Sequence, residues 1–240
     1  MTENPFFTAI EQTWPAAQQI EVEGWIVRQG LGGGSRVSSA VATTDAPDIK
    51  LMEVTQASLG QPALVMVRDD QETLDETLKQ MGYRAKDPTL LMTAAVAKVA
   101  EPPPPVRAFT VDWPPLKAQL ELWAANGIGP DRIEVMNRAL GPKCSLIGRV
   151  EDQIAGTGYL AIAGSVAMVH ALEVRSDLRR QRVAFYMMRA AAIWAQDHGA
   201  QTLCVAVTHA NEGARALYTS LGLETVGHYH YREKPLKTVN

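Results

Sequence analysis

The spacing of apolar and polar positions changes period several times along the chain, and each change marks an element. In the first hundred residues, Gly24 to Arg28 and Ser35 to Val41 read as strands around a glycine-rich turn. Asp48 to Leu59 reads as a helix, Ala63 to Val67 as a short apolar strand and Leu74 to Met81 as a second helix. The run Gly30-x-Gly32-Gly33-Gly34 lacks the strand-to-helix setting of a phosphate loop and reads as hairpin glycines.

The second half carries a longer series. Leu116, Leu120 and Trp123 share a helical face that stops at Asn126-Gly127, and Asp131 to Leu140 predicts a helix stopped by Gly141. Three strands follow as a meander: Cys144 to Val150, Gln153 to Ile162 and Ser165 to Val174. Alternation along the third places Val166, Met168, His170, Leu172 and Val174 on one face and Glu173 on the other. An arginine-rich turn leads into a helix whose buried stripe is Val183, Met187, Ala191 and Trp194, ended by Gly199. Leu203, Val205 and Val207 mark a further strand, and a last helix runs to Gly222.

Two features divide the chain. Glu101-Pro102-Pro103-Pro104-Pro105 imposes an extended, donor-poor backbone, so the expected domains are 1–100 and 106–240 with 101–105 as linker. At an offset of 140 positions, Val65 aligns with Val205, Val67 with Val207, Glu72 with Glu212 and Gly82 with Gly222, which predicts an internal repeat.

Composition narrows the classes. With 240 residues, 46% of them hydrophobic, the chain can bury one large core or two modest ones. It has no apolar run of membrane-spanning length and no basic-then-apolar leader, so a soluble cytoplasmic protein is expected. A net charge of −3 gives no broad attraction to nucleic acid or to an anionic membrane, and neither is expected as a partner. Cys144 and Cys204 stand far apart without metal-ligand spacing, which predicts packing residues and no metal.

Chemistry concentrates after Val174. A strand that delivers the chain into a helix amino terminus leaves backbone N–H groups unpaired, and these with the helix dipole suit a pyrophosphate. Read alone, Arg179, Arg180 and Arg182 are a solvated charge cluster; lying at a strand-to-helix junction, they become candidate anion ligands.

The ordered series from Leu172 to Leu223, with Asn211-x-x-Ala214-x-x-Leu217-Tyr218-x-x-x-Gly222, resembles the acyl-CoA-binding half of a GNAT N-acyltransferase. The family pattern of Arg or Gln, two residues, Gly, one residue, then Gly or Ala falls on Arg179, Arg182 and Ala184, with Arg182 where the family has glycine. A side chain there must point outward or obstruct the site, or, as a guanidinium, sit beside a phosphate as an added cation; the sequence leaves these open. The resemblance implies a mixed, mostly antiparallel α/β sheet flanked by helices, preceded by a smaller, degenerate GNAT-like module. It implies acetyl-CoA as cosubstrate and a small-molecule or peptide amine as acceptor. Its cofactor-binding residues would be Leu172, Val174, Arg179, Arg180, Gln181, Arg182, Val183, Ala184 and Asn211. Tyr218 would protonate the leaving thiolate, as its pKa near 10 allows. The base is open between His170, whose titration range suits the role, and an ordered water; His170 also reads as a hydrogen-bonded core residue. Asn211 and Tyr218 equally read as a helix cap and a packing residue. The alternative function is a non-catalytic acyl-CoA-binding or regulatory module.

Overall fold

The computed structural model describes residues 4–235. In chain order the first elements are α1 (Pro5–Thr13), β1 (Gln18–Val22), β2 (Trp25–Gln29), α2 (Ser35–Ser38), β3 (Ala40–Ala42), α3 (Ile49–Ser58), β4 (Leu64–Arg68), α4 (Glu72–Gln80) and β5 (Arg84–Ala95). There follow α5 (Val96–Ala100), β6 (Ala108–Asp112), α6 (Lys117–Ala125), α7 (Pro130–Arg138), β7 (Lys143–Val150), β8 (Gln153–Ala163) and β9 (Val166–Val174). A single 3-10 turn (Ser176–Leu178) precedes α8 (Val183–Asp197), β10 (Thr202–Thr208), α9 (Glu212–Ser220) and β11 (Glu224–Glu233).

The chain forms two compact units, and they do not part at the prolines. The larger comprises Met1–Pro15, Leu91–Val207 and Asn211–Val226; the smaller comprises Ala16–Leu90, Thr208–Ala210 and Gly227–Asn240. The expected break between 1–100 and 106–240 therefore differs from the observed one in four places, the shortest being Thr208–Ala210, which belongs to the smaller unit. Helix α1 and the segment around α5 pack with the larger unit, and the second half of β11 pairs with β4, Tyr229 facing Arg68 and Glu233 facing Leu64. Such exchanges are long-range pairings, to which a local linker signal is blind.

In the larger unit the strand order is β10-β9-β8-β7-β6, antiparallel except for the β9–β10 pair. Helix α8 lies closely on β7 and β8: a Cβ at Gly156 would fall 2.8 Å from Met187 Sδ, so glycine permits the approach. The buried stripe of α8 holds Val183, Met187 and Ala191 as expected, but Ala195 replaces the half-buried Trp194, which stacks on His198 instead. On α6 the buried face is Gln119, Leu122 and Trp123, while Leu116 caps the helix half-exposed. Gln119 is buried because its amide has partners on all sides: Leu116 N–H, Leu146 O, Thr157 Oγ1 and Ser145 Oγ.

In the smaller unit β1, β2 and β3 form an antiparallel meander, and β3 runs parallel to β4 across α3. Its core gathers Trp25, Val27, Met52, Val65, Val67 and Leu78. The arm expected as a strand over Ser35 to Val41 begins instead with α2, whose Ser39 N–H donates to Ser35 O, and becomes a strand only at Ala40. The offset of 140 recurs in the elements: α4 spans Glu72–Gln80 and α9 Glu212–Ser220, each followed by a left-handed glycine, Gly82 at φ +85° and Gly222 at φ +80°.

Candidate active site

The site is organised by the parting of two parallel strands. β9 and β10 pair from Val166 opposite Thr202 as far as Val169 opposite Val205, while β9 continues to Val174 and β10 to Thr208. The cause lies in β9. Against β8, Tyr159 faces His170 but Thr157 faces Glu173, so one extra residue is inserted on β9 opposite Gly158. Ala171 adopts φ +49°, and its carbonyl accepts a 2.8 Å hydrogen bond from Nε1 of the fully buried Trp123. An inserted residue bends a strand away from its neighbour, and here the bend opens a cleft.

The bulge also changes which side chains share a face. Directly opposed residues of an antiparallel pair lie on the same side of the sheet, and Tyr159 and Thr157 both turn toward the α6–α7 layer, bonding Met136 O and Gln119. His170 and Glu173 therefore face that layer together. The single-face alternation expected for 166–174 is corrected at Ala171: Leu172 and Val174 belong to the opposite face, and Glu173 does not oppose His170.

His170 is 5% exposed, stacked between Trp14 at 5.1 Å and Tyr159 at 6.0 Å, with Nε2 2.9 Å from Thr13 Oγ1. Thr13 gives its only hydroxyl proton to Ala9 O at 2.6 Å, so Oγ1 must accept and His170 Nε2 carries the hydrogen. The ring is built into the core beside α1. Glu173 is half-buried, and burial raises its carboxyl above the ordinary range against the opposing pull of Arg179 and Arg132. Tyr218 on α9 is 7% exposed; burial foremost, then the negative Glu173 beside it, pushes its hydroxyl well above its ordinary pKa. Tyr218 and Glu173 thus sit close enough to feel one another's charge.

The main chain supplies donors to the cleft. Arg175 N–H donates to Ala155 O on β8 at 2.9 Å, so by strand alternation the N–H groups of Val174 and Leu172 point the other way, toward the opening. The following turn is held by Arg175, which grips Asp177 through both oxygens and reaches Gln153, and by Arg179 Nε on Val174 O. Arg180 and Arg182 take positive φ, 61° and 62°, and curl the chain into α8. No side chain caps that helix, so the first-turn amides of Val183 and Ala184 and the dipole behind them face the turn. Arg182 occupies the left-handed position at a cost of about 1 kcal/mol, and its guanidinium folds outward over Phe185, 4.9 Å from the ring centre. Gln181 is exposed in the same turn. On the other side of the cleft Asn211 caps α9, Oδ1 accepting from Ala214 N–H at 3.1 Å, which leaves its amide nitrogen to donate elsewhere.

Leu172, Val174 and the 179–184 turn thus lie at the end of β9 and Asn211 just beyond the end of β10, past the point where these strands part; Tyr218 feels the charge of Glu173, and His170 is enclosed in the core. A groove of about 380 Å³ between α6 and α7, lined by Leu120, Ala124, Ile128 and Ile133, includes none of them. Cys144 and Cys204 are both fully buried, and burial raises the Cys144 thiol far above its ordinary pKa. Among the described residues no helix is long and apolar enough to cross a membrane.

A helix-flanked, mostly antiparallel sheet with one pair of parting parallel strands and an uncapped helix at the opening is the fold of the GNAT acetyltransferases. The sequence model of the Acetyltransferase (GNAT) family matches residues 106–223, and that segment is a GNAT acetyltransferase domain. It is 23% identical to an uncharacterized N-acetyltransferase, YobR, of Bacillus subtilis (strain 168), over 92% of this chain and 94% of that protein. Among solved structures it is similar in fold to a GCN5-related N-acetyltransferase from Kribbella flavida, with TM-score 0.74, 17% identity and coverage of 98% and 96%. It is also similar to a tandem GNAT protein from the clavulanic acid biosynthesis pathway, with TM-score 0.57, 13% identity and coverage of 83% and 76%.

Proposed function

We propose that the protein transfers an acetyl group from acetyl-CoA to the primary amine of a small molecule or peptide, directly within a ternary complex in the cytoplasm. The observation that carries this reading is the β9–β10 opening, bordered by the outward N–H groups of Leu172 and Val174 and by the uncapped start of α8. The amides of Val183 and Ala184, with Arg179, Arg180 and Gln181 around them, would hold the pyrophosphate, and Asn211 the pantetheine arm. The Val174 N–H would polarise the thioester carbonyl and stabilise the oxyanion as the amine nitrogen bonds to the carbonyl carbon. As the carbon–sulfur bond breaks, the Tyr218 hydroxyl would give its proton to the thiolate; its raised pKa keeps it protonated until then. The proton lost by the amine goes to Glu173, directly or through water. His170, committed through Nε2 to Thr13, holds β9 against α1 and is the less favoured base.

The buried thiols support direct transfer over an acyl-cysteine route. The outward fold of Arg182 supports catalysis over the alternative, a non-catalytic acyl-CoA-binding or regulatory module. The smaller unit is read as a spent copy of the same design, supported by the shared offset of α4 and α9 and by Leu78 standing where the other copy has Tyr218.

Calorimetry with acetyl-CoA, followed by turnover across an amine panel, tests this. Binding with turnover is the expected result. Binding without turnover on any amine transfers the case to the regulatory alternative, and absence of binding removes both.

A further inference from the structure

The arginines around the start and outer face of α8 fall into two states. Arg149 and Arg175 are paired, with Asp152 at 3.4 Å and Asp177 at 2.7 Å. Arg107, Arg182 and Arg189 have no carboxylate within ion-pair range among the described residues, yet all three are held in place on two rings. Phe185 and Tyr186 meet edge to face at 5.7 Å. Arg182 lies 4.9 Å from the Phe185 centre and 5.9 Å from that of Tyr186, Arg189 4.8 Å from Phe185, and Arg107 5.0 Å from Tyr186. Arg189 is further fixed by donating Nη1 to Pro102 O. Ring stacking orients a guanidinium without neutralising it, so three like charges are gathered; Arg107 and Arg182 also reach the Tyr186 hydroxyl and Arg189 the Pro102 carbonyl, and each guanidinium, with five N–H donors, keeps others to offer an anion.

We propose that Arg107, Arg182 and Arg189, laid on Phe185 and Tyr186, form a phosphomonoester site that takes the 3′-phosphate of the coenzyme. A phosphomonoester carries close to two negative charges at neutral pH and accepts paired N–H bonds from guanidinium. The site adjoins the turn assigned to the pyrophosphate: Arg182 contributes its backbone to the start of α8 and its side chain to the outer face. A glycine at 182 would form the same curl without strain but could not supply the cation, which accounts for an arginine in a left-handed position. This inference rests on reading the β9–α8 turn as the pyrophosphate site.

Titration calorimetry of the full chain with CoA and with dephospho-CoA, which lacks only the 3′-phosphate, tests it. The wild type is expected to bind CoA about tenfold or more tightly than dephospho-CoA, as charge-assisted bonds to one anion allow. In Arg107→Gln/Arg189→Gln the preference should fall below about threefold through weaker CoA binding alone, and in the wild type it should shrink as salt rises. If the double variant does not fold, Arg107→Gln alone, at an exposed position, must still reduce the preference. Equal affinity of the wild type for both ligands overturns the subsite and leaves the pyrophosphate reading standing. Failure of both ligands to bind overturns that reading as well. Equal weakening of both ligands in the variants overturns the subsite by reducing the arginines to structural supports.

Discussion

Two helices in this chain follow a strand and return it to a parallel neighbour, α3 between β3 and β4 and α8 between β9 and β10. Their first turns are finished differently. Asp48 caps α3 with its own carboxylate, accepting from Lys50 N–H at 2.9 Å and Leu51 N–H at 3.2 Å, and Trp25 Nε1 locks its carbonyl at 2.9 Å. The corresponding position of α8 is Arg182, which caps nothing. In the smaller unit the anion that satisfies the helix start is part of the chain, and in the larger no side chain supplies one. The next helices repeat the lesson. Asn211 caps α9, whereas the Gln71 side chain turns back to Arg68 N–H, and Tyr218 meets its counterpart in Leu78. The same strand-to-helix backbone is thus finished with different polar side chains in the two units, and on the function proposed above that difference separates scaffold from site.

The sharpest break in the comparison is at α9. Tyr218→Phe makes the larger unit apolar where the smaller one already is. Turnover is expected to fall by about 100-fold or more, the usual worth of a general acid, with the KM for acetyl-CoA unchanged in steady-state assays. Full turnover in that variant would return Tyr218 to a packing role.

A nearly equal effect is expected from Glu173→Gln, about 100-fold on kcat, and it has a pH signature. Burial raises this carboxyl, so activity of the wild type should rise along an acid limb lying above the ordinary carboxylate range, and the variant should lack that limb. The stability sign is opposite. A folded-state pKa raised above the unfolded one favours the fold at acid pH, and that contribution is lost as pH rises through the folded value. The glutamine variant should therefore melt higher than the wild type at neutral pH and no higher at acid pH. A variant less stable at neutral pH would show that ionised Glu173 has a structural partner.

Glu173 also shows where the sequence stops being legible. Strand, turn and helix around the cleft follow from periodicity and from the glycines at 199 and 222, because those signals are local. The bulge is not local: it needs Trp123 on α6 to hold the Ala171 carbonyl and Gly158 to leave room on β8, where a Cβ would fall 3.0 Å from Leu172 Cδ1. Nothing in the run Val166 to Val174 announces one residue too many, so simple alternation assigns Glu173 to the wrong face. The same holds for α1, whose Thr13 fixes His170 from 157 positions away, and for Gln119, a polar residue buried by partners that only the fold assembles.

Smaller in effect, Arg182→Asp transplants the capping chemistry of Asp48 to α8. A carboxylate beside the uncapped amides would compete with an incoming phosphate and repel it. Acetyl-CoA affinity is expected to fall by about 30-fold, most of it recovered in high salt. Calorimetry reads both quantities. Unchanged affinity would place the pyrophosphate elsewhere than at this turn.

The converse exchange should be the gentlest. Asp48→Ala leaves α3 with two unpaired amide donors, and loss of such a cap costs about 1 kcal/mol, seen as a lower denaturation midpoint with an unaltered m-value. Two outcomes would separate scaffold from site. If the smaller unit is only scaffold, acetyl-CoA affinity measured well below the melting temperature should not change, since Asp48 contacts Lys50, Leu51 and Trp25 of its own unit. If the uncapped start of α3 instead gains a measurable affinity for CoA, the smaller copy has kept the shape of a binding turn and lost its use through one aspartate. Asp48 would then separate the two units more than Gln71 or Leu78 does.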